Sequence, residues 1–285
     1  MLRVLITVAL ALGFLAGPEQ AKLKPAAAKT SSVASDYQPP LNYDAQAEQR
    51  LLDLANHARA QNGAPPLQFD ESLLAAARAH AAEMVRQGQL SHQFTGEPSL
   101  PLRLAAASDL RLDRAGENVA YDLTADQAHH HLMLSPPHRE NLLNAGYNVA
   151  GFGVIRSGEY LYVVEDFGHS VSALSAEQTE DAIVSAVARA RQATHLPTLV
   201  RQSDAELRAA VCSMAEEDRL GTRSMRALSQ RYFVLSYTNI HPEVLPASAN
   251  HLIGDRNLKT VAVGACFART ATYPGGVYWV GLVFY

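Results

Sequence analysis

The chain has 285 residues, 48% of them hydrophobic and 18% charged, a balance that supports one or two folded domains and excludes a disordered polyelectrolyte. Its 24 basic and 28 acidic side chains leave a formal charge of −4, which excludes the basic footprint of a general nucleic-acid binder. Two cysteines, Cys212 and Cys266, are too few for a disulfide-built scaffold or a cysteine-rich zinc module.

The N-terminus carries one positive charge at Arg3 and then an apolar run over 4–15. A charge followed by about 12 apolar residues is the pattern of a secretory signal peptide, here 1–21, and is shorter than the roughly 20 residues that cross a bilayer. Residues 22–42 are Ala, Lys, Ser and Pro without periodicity, which predicts an unstructured linker. The expectation is a secreted or periplasmic protein with no stable transmembrane segment after cleavage, an uncleaved anchor being the alternative. Export also permits, without requiring, a Cys212–Cys266 disulfide.

Apolar spacing at Leu51, Leu54, Ala55 and Ala58 predicts a helix over 44–60. Asp70 and Gly88 read as the N-cap and the C-terminal stop of a second, Ala-rich helix whose stripe is Leu73, Ala77, Ala81 and Met84. A polar, proline-bearing loop follows, and a third helix is predicted over 124–134. Ser135-Pro136-Pro137 then reads as a break before His138. The runs 149–156 and 159–167 flank Ser157-Gly158 as a β-hairpin. Helices around a hairpin-rich sheet predict an α/β (α+β) domain over 43–170.

The remainder, 171–285, repeats the landmarks of the first half in order. Arg59, Pro65 and Leu67 match Arg191, Pro197 and Leu199, and Leu74-Ala75-Ala76-Ala77 matches Leu207-Arg208-Ala209-Ala210. Capping boxes are predicted at Ser175/Gln178 and Ser203/Glu206. Nothing in this half corresponds to His92, Glu117 or the run His138-Arg139-Glu140-Asn141.

Those residues are the candidate chemistry. Two imidazoles and a carboxylate can build a divalent-metal site, with Glu117 as ligand, as orienter of a histidine, or as base toward a bound water. His129-His130-His131 cannot converge on one ion, because consecutive helical residues point about 100° apart. His80 lies near the apolar stripe of its helix and reads as a core or boundary histidine. His57 and His169 have no evident partner. No nucleophile–base pattern, Walker loop or dinucleotide fingerprint occurs.

Leu54-Ala55-Asn56 with Arg59, Gly63 and Pro65-Pro66-Leu67, then Ser91-His92, Gly116-Glu117-Asn118-Val119-Ala120, and Ser135-Pro136 with His138-Arg139 and Asn141-Leu142-Leu143, resemble the CAP superfamily. That superfamily joins cysteine-rich secretory proteins, antigen 5 and plant pathogenesis-related proteins, and its bacterial members are often called SCP-like. The resemblance covers about 43–168. It implies an α-β-α three-layer sandwich, duplicated in tandem if 171–285 is a degenerate copy, together with secretion and a cleft lined by histidines and glutamates.

By motif position His92, Glu117 and His138 would line the cleft, with His92 and His138 as ligands of Zn2+ or another divalent metal. Asn118 and Asn141 would hold loops, and Arg103 would serve as a salt-bridge or loop-binding residue. The family's tryptophan is Leu132 here, and the glycine before the second histidine is Pro137, which suggests a differently presented His138. A second cleft glutamate has no clear counterpart. The resemblance implies binding of a metal, or of a small, lipid-like or cell-envelope ligand, without catalysis. The alternatives are a metal-assisted hydrolase using Glu117 on peptide or envelope substrates, and a purely structural or interaction module.

Overall fold

The computed structural model describes residues 41–285 and the two-residue strand β1 (Ile6–Thr7). The signal peptide expected over 1–21 and the linker over 22–42 otherwise lie outside the described residues.

Helix α1 (Ala45–Gln61) starts where the Asp44 side chain accepts the Ala47 amide. After β2 (Gln68–Phe69), α2 (Glu71–Gln87) begins at Asp70, whose carboxylate takes the Ser72 and Leu73 amides, and ends at Gly88 with φ 61°. An orphan amide is satisfied at one end and a left-handed residue turns the chain at the other. Then follow α3 (Leu100–Ala107), β3 (Leu112–Asp122), α4 (Ala125–Leu134), α5 (Pro136–Leu143), β4 (Val149–Ser157) and β5 (Tyr160–Ser170).

The strands form one sheet in the order β2-β4-β5-β3, antiparallel except for β2 beside β4. On one face α1, α4 and α5 bury Leu51, Ala55, Ala128, Leu132 and Leu142 against Phe152, Val163 and Phe167. On the other, α2 packs Ala77, Ala81 and Met84 against Val119, Ile155 and Val164. The approach is close. A Cβ at Gly151 would stand 2.0 Å from the Leu74 nitrogen and one at Gly153 2.4 Å from the Ala77 carbonyl carbon, so no side chain fits between helix and strand at either position. The result is an α-β-α sandwich.

The second half runs α6 (Ala176–Ala193), β6 (Val200–Gln202), α7 (Ala205–Glu216), α8 (Arg223–Ser229), β7 (Phe233–Asn239), α9 (Ala249–Ile253), β8 (Thr260–Ala268) and β9 (Val277–Phe284). Its sheet reads β6-β8-β9-β7, the order of the first sheet, with β1 parallel to β7 at Leu235 and Ser236. Arg59 and Arg191, both fully buried, each brace their own half in a similar way. Arg59 donates to the carbonyls of Pro65 (2.7 Å), Leu142 (2.8 Å), Asn144 (3.0 Å) and Tyr147 (2.9 Å). Arg191 donates to those of Pro197 (2.6 Å), Ile253 (2.7 Å) and Asp255 (3.0 Å). Cys212 on α7 and Cys266 on β8 are disulfide-bonded, Cα to Cα 5.4 Å, and staple helix to sheet.

Four local expectations are refined or changed. Ser135-Pro136-Pro137 does break the chain, with Ser135 extended between α4 and α5, but the prolines then open a new helix that carries His138, because a proline in the first helical turn loses no hydrogen bond. The cap of α7 is Asp204, which takes the Leu207 amide, not Ser203. Aligning that cap with Asp70 pairs Leu207 with Leu73 rather than Leu74. Finally, the polar loop contains α3, and Gly116-Glu117-Asn118 lies inside strand β3.

Candidate functional site

Strand β3 is the edge of the first sheet, and the site is built across that edge from both helical layers. Glu117 sits mid-strand on the face that α2 covers, paired in register with Asp166 on β5. The loop after α2 brings His92 to it. The His92 Nδ1–H donates to Glu117 Oε1 at 2.9 Å, and Arg103 on α3 donates through Nη2 to Oε2. Arg103 Nη1 also donates to the carbonyls of His92 (3.2 Å) and Pro98 (3.3 Å). One guanidinium therefore fixes the carboxylate and the loop that delivers the imidazole. The Glu117 side chain is 3% exposed and that of His92 56%, so the acid is beneath and the imidazole faces solvent.

His138 arrives from the opposite layer, in the first turn of α5. Its Nδ1 hydrogen-bonds with Ser135 Oγ at 2.8 Å, and its carbonyl accepts Asn118 Nδ2 at 3.1 Å. Asn141 donates to the Glu117 carbonyl (3.0 Å) and to Asn118 Oδ1 (3.2 Å), while the Tyr147 hydroxyl donates to Asn141 Oδ1 (3.0 Å). Gly116 is required here, since a Cβ would lie 2.4 Å from both Asn141 Oδ1 and the Tyr147 hydroxyl oxygen. The rings of His92 and His138 face each other with centroids 6.5 Å apart and planes 24° apart.

His80, Glu97, Glu165 and Asp166 join the site without having been singled out for it. His80 is wholly buried. Its Nε2–H donates to the Ser91 carbonyl (2.8 Å), its Nδ1 lies 2.6 Å from Glu97 Oε1, and Glu97 Oε2 accepts the Phe94 amide (3.0 Å). These bonds pin the 91–97 loop from below. Glu165 and Asp166 are adjacent acids inside an otherwise apolar strand, a pattern that sequence reading can flag. Burial pushes the Glu165 carboxyl up to about 7, against a hydrogen bond from Asn118. Burial, reinforced by the negative charge of Glu117 and opposed by Arg103, raises Asp166 well above the ordinary carboxylate range.

The two imidazoles are shifted in opposite directions. The hydrogen bond to Glu117 holds His92 above its ordinary value, while burial and then the charge of His92 lower His138. Each imidazole is engaged through Nδ1, which leaves Nε2 as the nitrogen that could take a metal. A histidine whose outer N–H is fixed by a carboxylate is the usual orientation of a metal-bound imidazole. The donor set therefore suits two bonds to a transition metal such as Zn2+. Among the described residues no group of three or more His, Cys, Asp or Glu side chains is arranged to hold a metal ion. His131 pairs with Asp122 at 3.0 Å and belongs to a different contact.

The second half has no such constellation. Taking Gly264, beside Leu207 and Arg208, as the counterpart of Gly151, beside Leu73 and Leu74, the strand registers put Ser236 and Gly281 where the first half has Glu117 and Asp166.

Residues 52–167 match the model of the cysteine-rich secretory protein family, CAP. Together with the sandwich and its edge-strand site, this makes the segment a CAP domain. The uncharacterized protein YkwD of Bacillus subtilis is 32% identical over 112 residues, covering 39% of this chain and 43% of that protein; the chain thus spans less than half the length of the curated relative it matches. An extracellular protein containing an SCP domain from Bacillus anthracis is 25% identical, with a TM-score of 0.41 over 45% of this chain and 41% of that one. Na-ASP-1 is 8% identical, with a TM-score of 0.47 over 89% of this chain and 91% of its own. No helix among the described residues is long and apolar enough to cross a membrane.

Proposed function

We propose that residues 43–170 are an exported binding domain whose His92 and His138 take a divalent metal, Zn2+ first, and with it a small, lipid-like or cell-envelope ligand, without catalysing a reaction. The observation that carries this is the commitment of Glu117. One oxygen accepts from His92 and the other from Arg103, so the carboxylate orients an imidazole instead of standing free to take a proton from water. When bound, the metal would supply Lewis acidity toward a ligand oxygen, with positions left open beyond the two imidazoles. His92 and His138 would hold it, Glu117 would orient His92, Ser135 would orient His138, and Arg103 would hold the loop.

Residues 171–285 are read as a degenerate second copy serving as packing partner or binding surface. The shared strand order, the two buried arginines and the replacement of the carboxylates by Ser236 and Gly281 support this. Export is supported by the apolar N-terminal run and the disulfide.

The test is equilibrium dialysis of the untagged full chain against Zn2+. One ion per chain is expected, with affinity reduced at least about tenfold by His92→Ala or His138→Ala and by about 10–100-fold in Glu117→Gln. Metal-dependent hydrolysis of a cell-envelope peptide that Glu117→Gln abolishes would establish the hydrolase instead. Unchanged behaviour of all three variants would leave only a structural module.

A further inference from the structure

Asp113 stands outside the regular pairing of its strand. Leu112 pairs with Ser170 and Arg114 with His169, so Asp113 is the extra residue of a bulge between them. A bulge re-aims one side chain away from its ladder position. Here the carboxylate is aimed at the seam between the two halves of the chain. Its Oδ1 accepts from Nδ1 of His169 on β5 at 2.7 Å, and its Oδ2 accepts from Nε2 of His241, in the turn after β7, also at 2.7 Å.

The surroundings hold both partners in place. The His241 amide donates to Asn239 Oδ1 (3.0 Å), and the Tyr237 hydroxyl donates to the Pro242 carbonyl (2.5 Å), fixing the turn. Beside the cluster Arg111 donates to the Tyr278 hydroxyl and lies 3.6 Å above the centre of the Phe267 ring, while Arg269 donates to the Ala105 (2.9 Å) and Leu110 (3.1 Å) carbonyls. The other charges facing the cluster are Arg114, with Nε 3.7 Å from Asp113 Oδ1, and Glu243, with Oε1 3.9 Å from His241 Nδ1.

We propose that His169, Asp113 and His241 form a protonation-sensitive latch between the two halves. The ionised carboxylate takes an N–H from each imidazole, so both bonds are charge-assisted, and the seam is released when Asp113 itself is protonated. The carboxyl is already biased toward ionisation: burial raises it, but the hydrogen bonds from His241 and His169 bring it below the ordinary 3.8. Its contribution is thus present above that ordinary value and lost as pH falls through the lowered one. Asp113 also borders an apolar cavity of about 220 Å3 that Leu102, Leu104, Leu110 and Leu112 share with Pro274 of the second half.

Amide hydrogen exchange on the full chain tests this, comparing variants with wild type at one pH so that intrinsic exchange cancels. At pH near 6, Asp113→Asn and His241→Gln should each speed exchange of segments 110–114 and 240–244 by about fivefold, the ratio for ~1 kcal/mol, shrinking toward unity as pH falls below 3.8. Protection in β4 and β5 reports that the fold is intact; if Asp113→Asn loses it, His241→Gln, on a surface turn, carries the test. Ratios that do not shrink as pH falls, or seam exchange unchanged in the variants at pH near 6, would overturn the latch.

Discussion

His92 donates through Nδ1 to Glu117 at 2.9 Å, although the two residues lie 25 positions apart and on different elements, a loop and an edge strand. The bond aims the imidazole and engages one oxygen of the acid. Arg103 engages the other, and this pair is buried, with side chains 7% and 3% exposed.

Removing Arg103 should therefore harm both stability and site. Arg103→Met leaves a buried carboxylate without its cation, a change that typically costs about 3–5 kcal/mol. Chemical denaturation checks the cost. Exchange in segment 91–98 checks whether the loop is released with it. A loss under about 1 kcal/mol would mean that the pair is not what holds the loop.

Glu165 makes the pH dependence of stability predictable. Its folded value of about 7 exceeds the ordinary 4.5, so the folded state retains a proton that the unfolded state releases. The sign follows from that difference: the contribution is fully present below pH about 4.5 and is lost as pH rises toward 7, by at most about 3 kcal/mol. Glu165→Gln should flatten that slope and leave stability at pH 8 equal or higher. Denaturation midpoints of both proteins at pH 5 and 8 measure it.

The two buried arginines should behave alike. Arg59→Met and Arg191→Met each leave buried carbonyls without their donors, at about 1–3 kcal/mol for each group stranded. Hydrogen exchange should show each substitution loosening its own half first. A substitution in one half that unfolds only the other would contradict the equivalence of the halves.

Much of the architecture was legible because it rests on local chemistry. Asp44, Asp70, Gly88 and Thr124 bound their helices by capping, while the hairpin turn lies one residue later than expected, at Gly158-Glu159, because Ser157 still pairs with Tyr160. The strand through Glu117 was not, since its alternating residues face two different helical layers and its polar members break the expected apolar pattern. His80 was legible as a buried residue but not as the support of the 91–97 loop, because its partners, the Ser91 carbonyl and Glu97, come from across a turn. Pro137 invited the expectation of an altered loop. In the first turn of α5 it is accommodated without loss. Asp113 carried no signal, because a bulge and its partner His241 are set by tertiary pairing.

Reduction should weaken the second half selectively. Cys212 and Cys266 are 54 residues apart in sequence, and a loop of that size corresponds to about 4 kcal/mol of chain-entropy stabilisation. Thermal unfolding of Cys212→Ser/Cys266→Ser should show α7 and the second sheet melting earlier, with metal binding at the first half unchanged.

The most direct measurement is anomalous scattering at the zinc edge from crystals grown with Zn2+. The account predicts one peak between His92 and His138, about 2.0–2.1 Å from the Nε2 of each, and none near His129, His130 or His131. A peak bound to Glu117 in place of an imidazole, or a zinc found only at surface histidines, would contradict it.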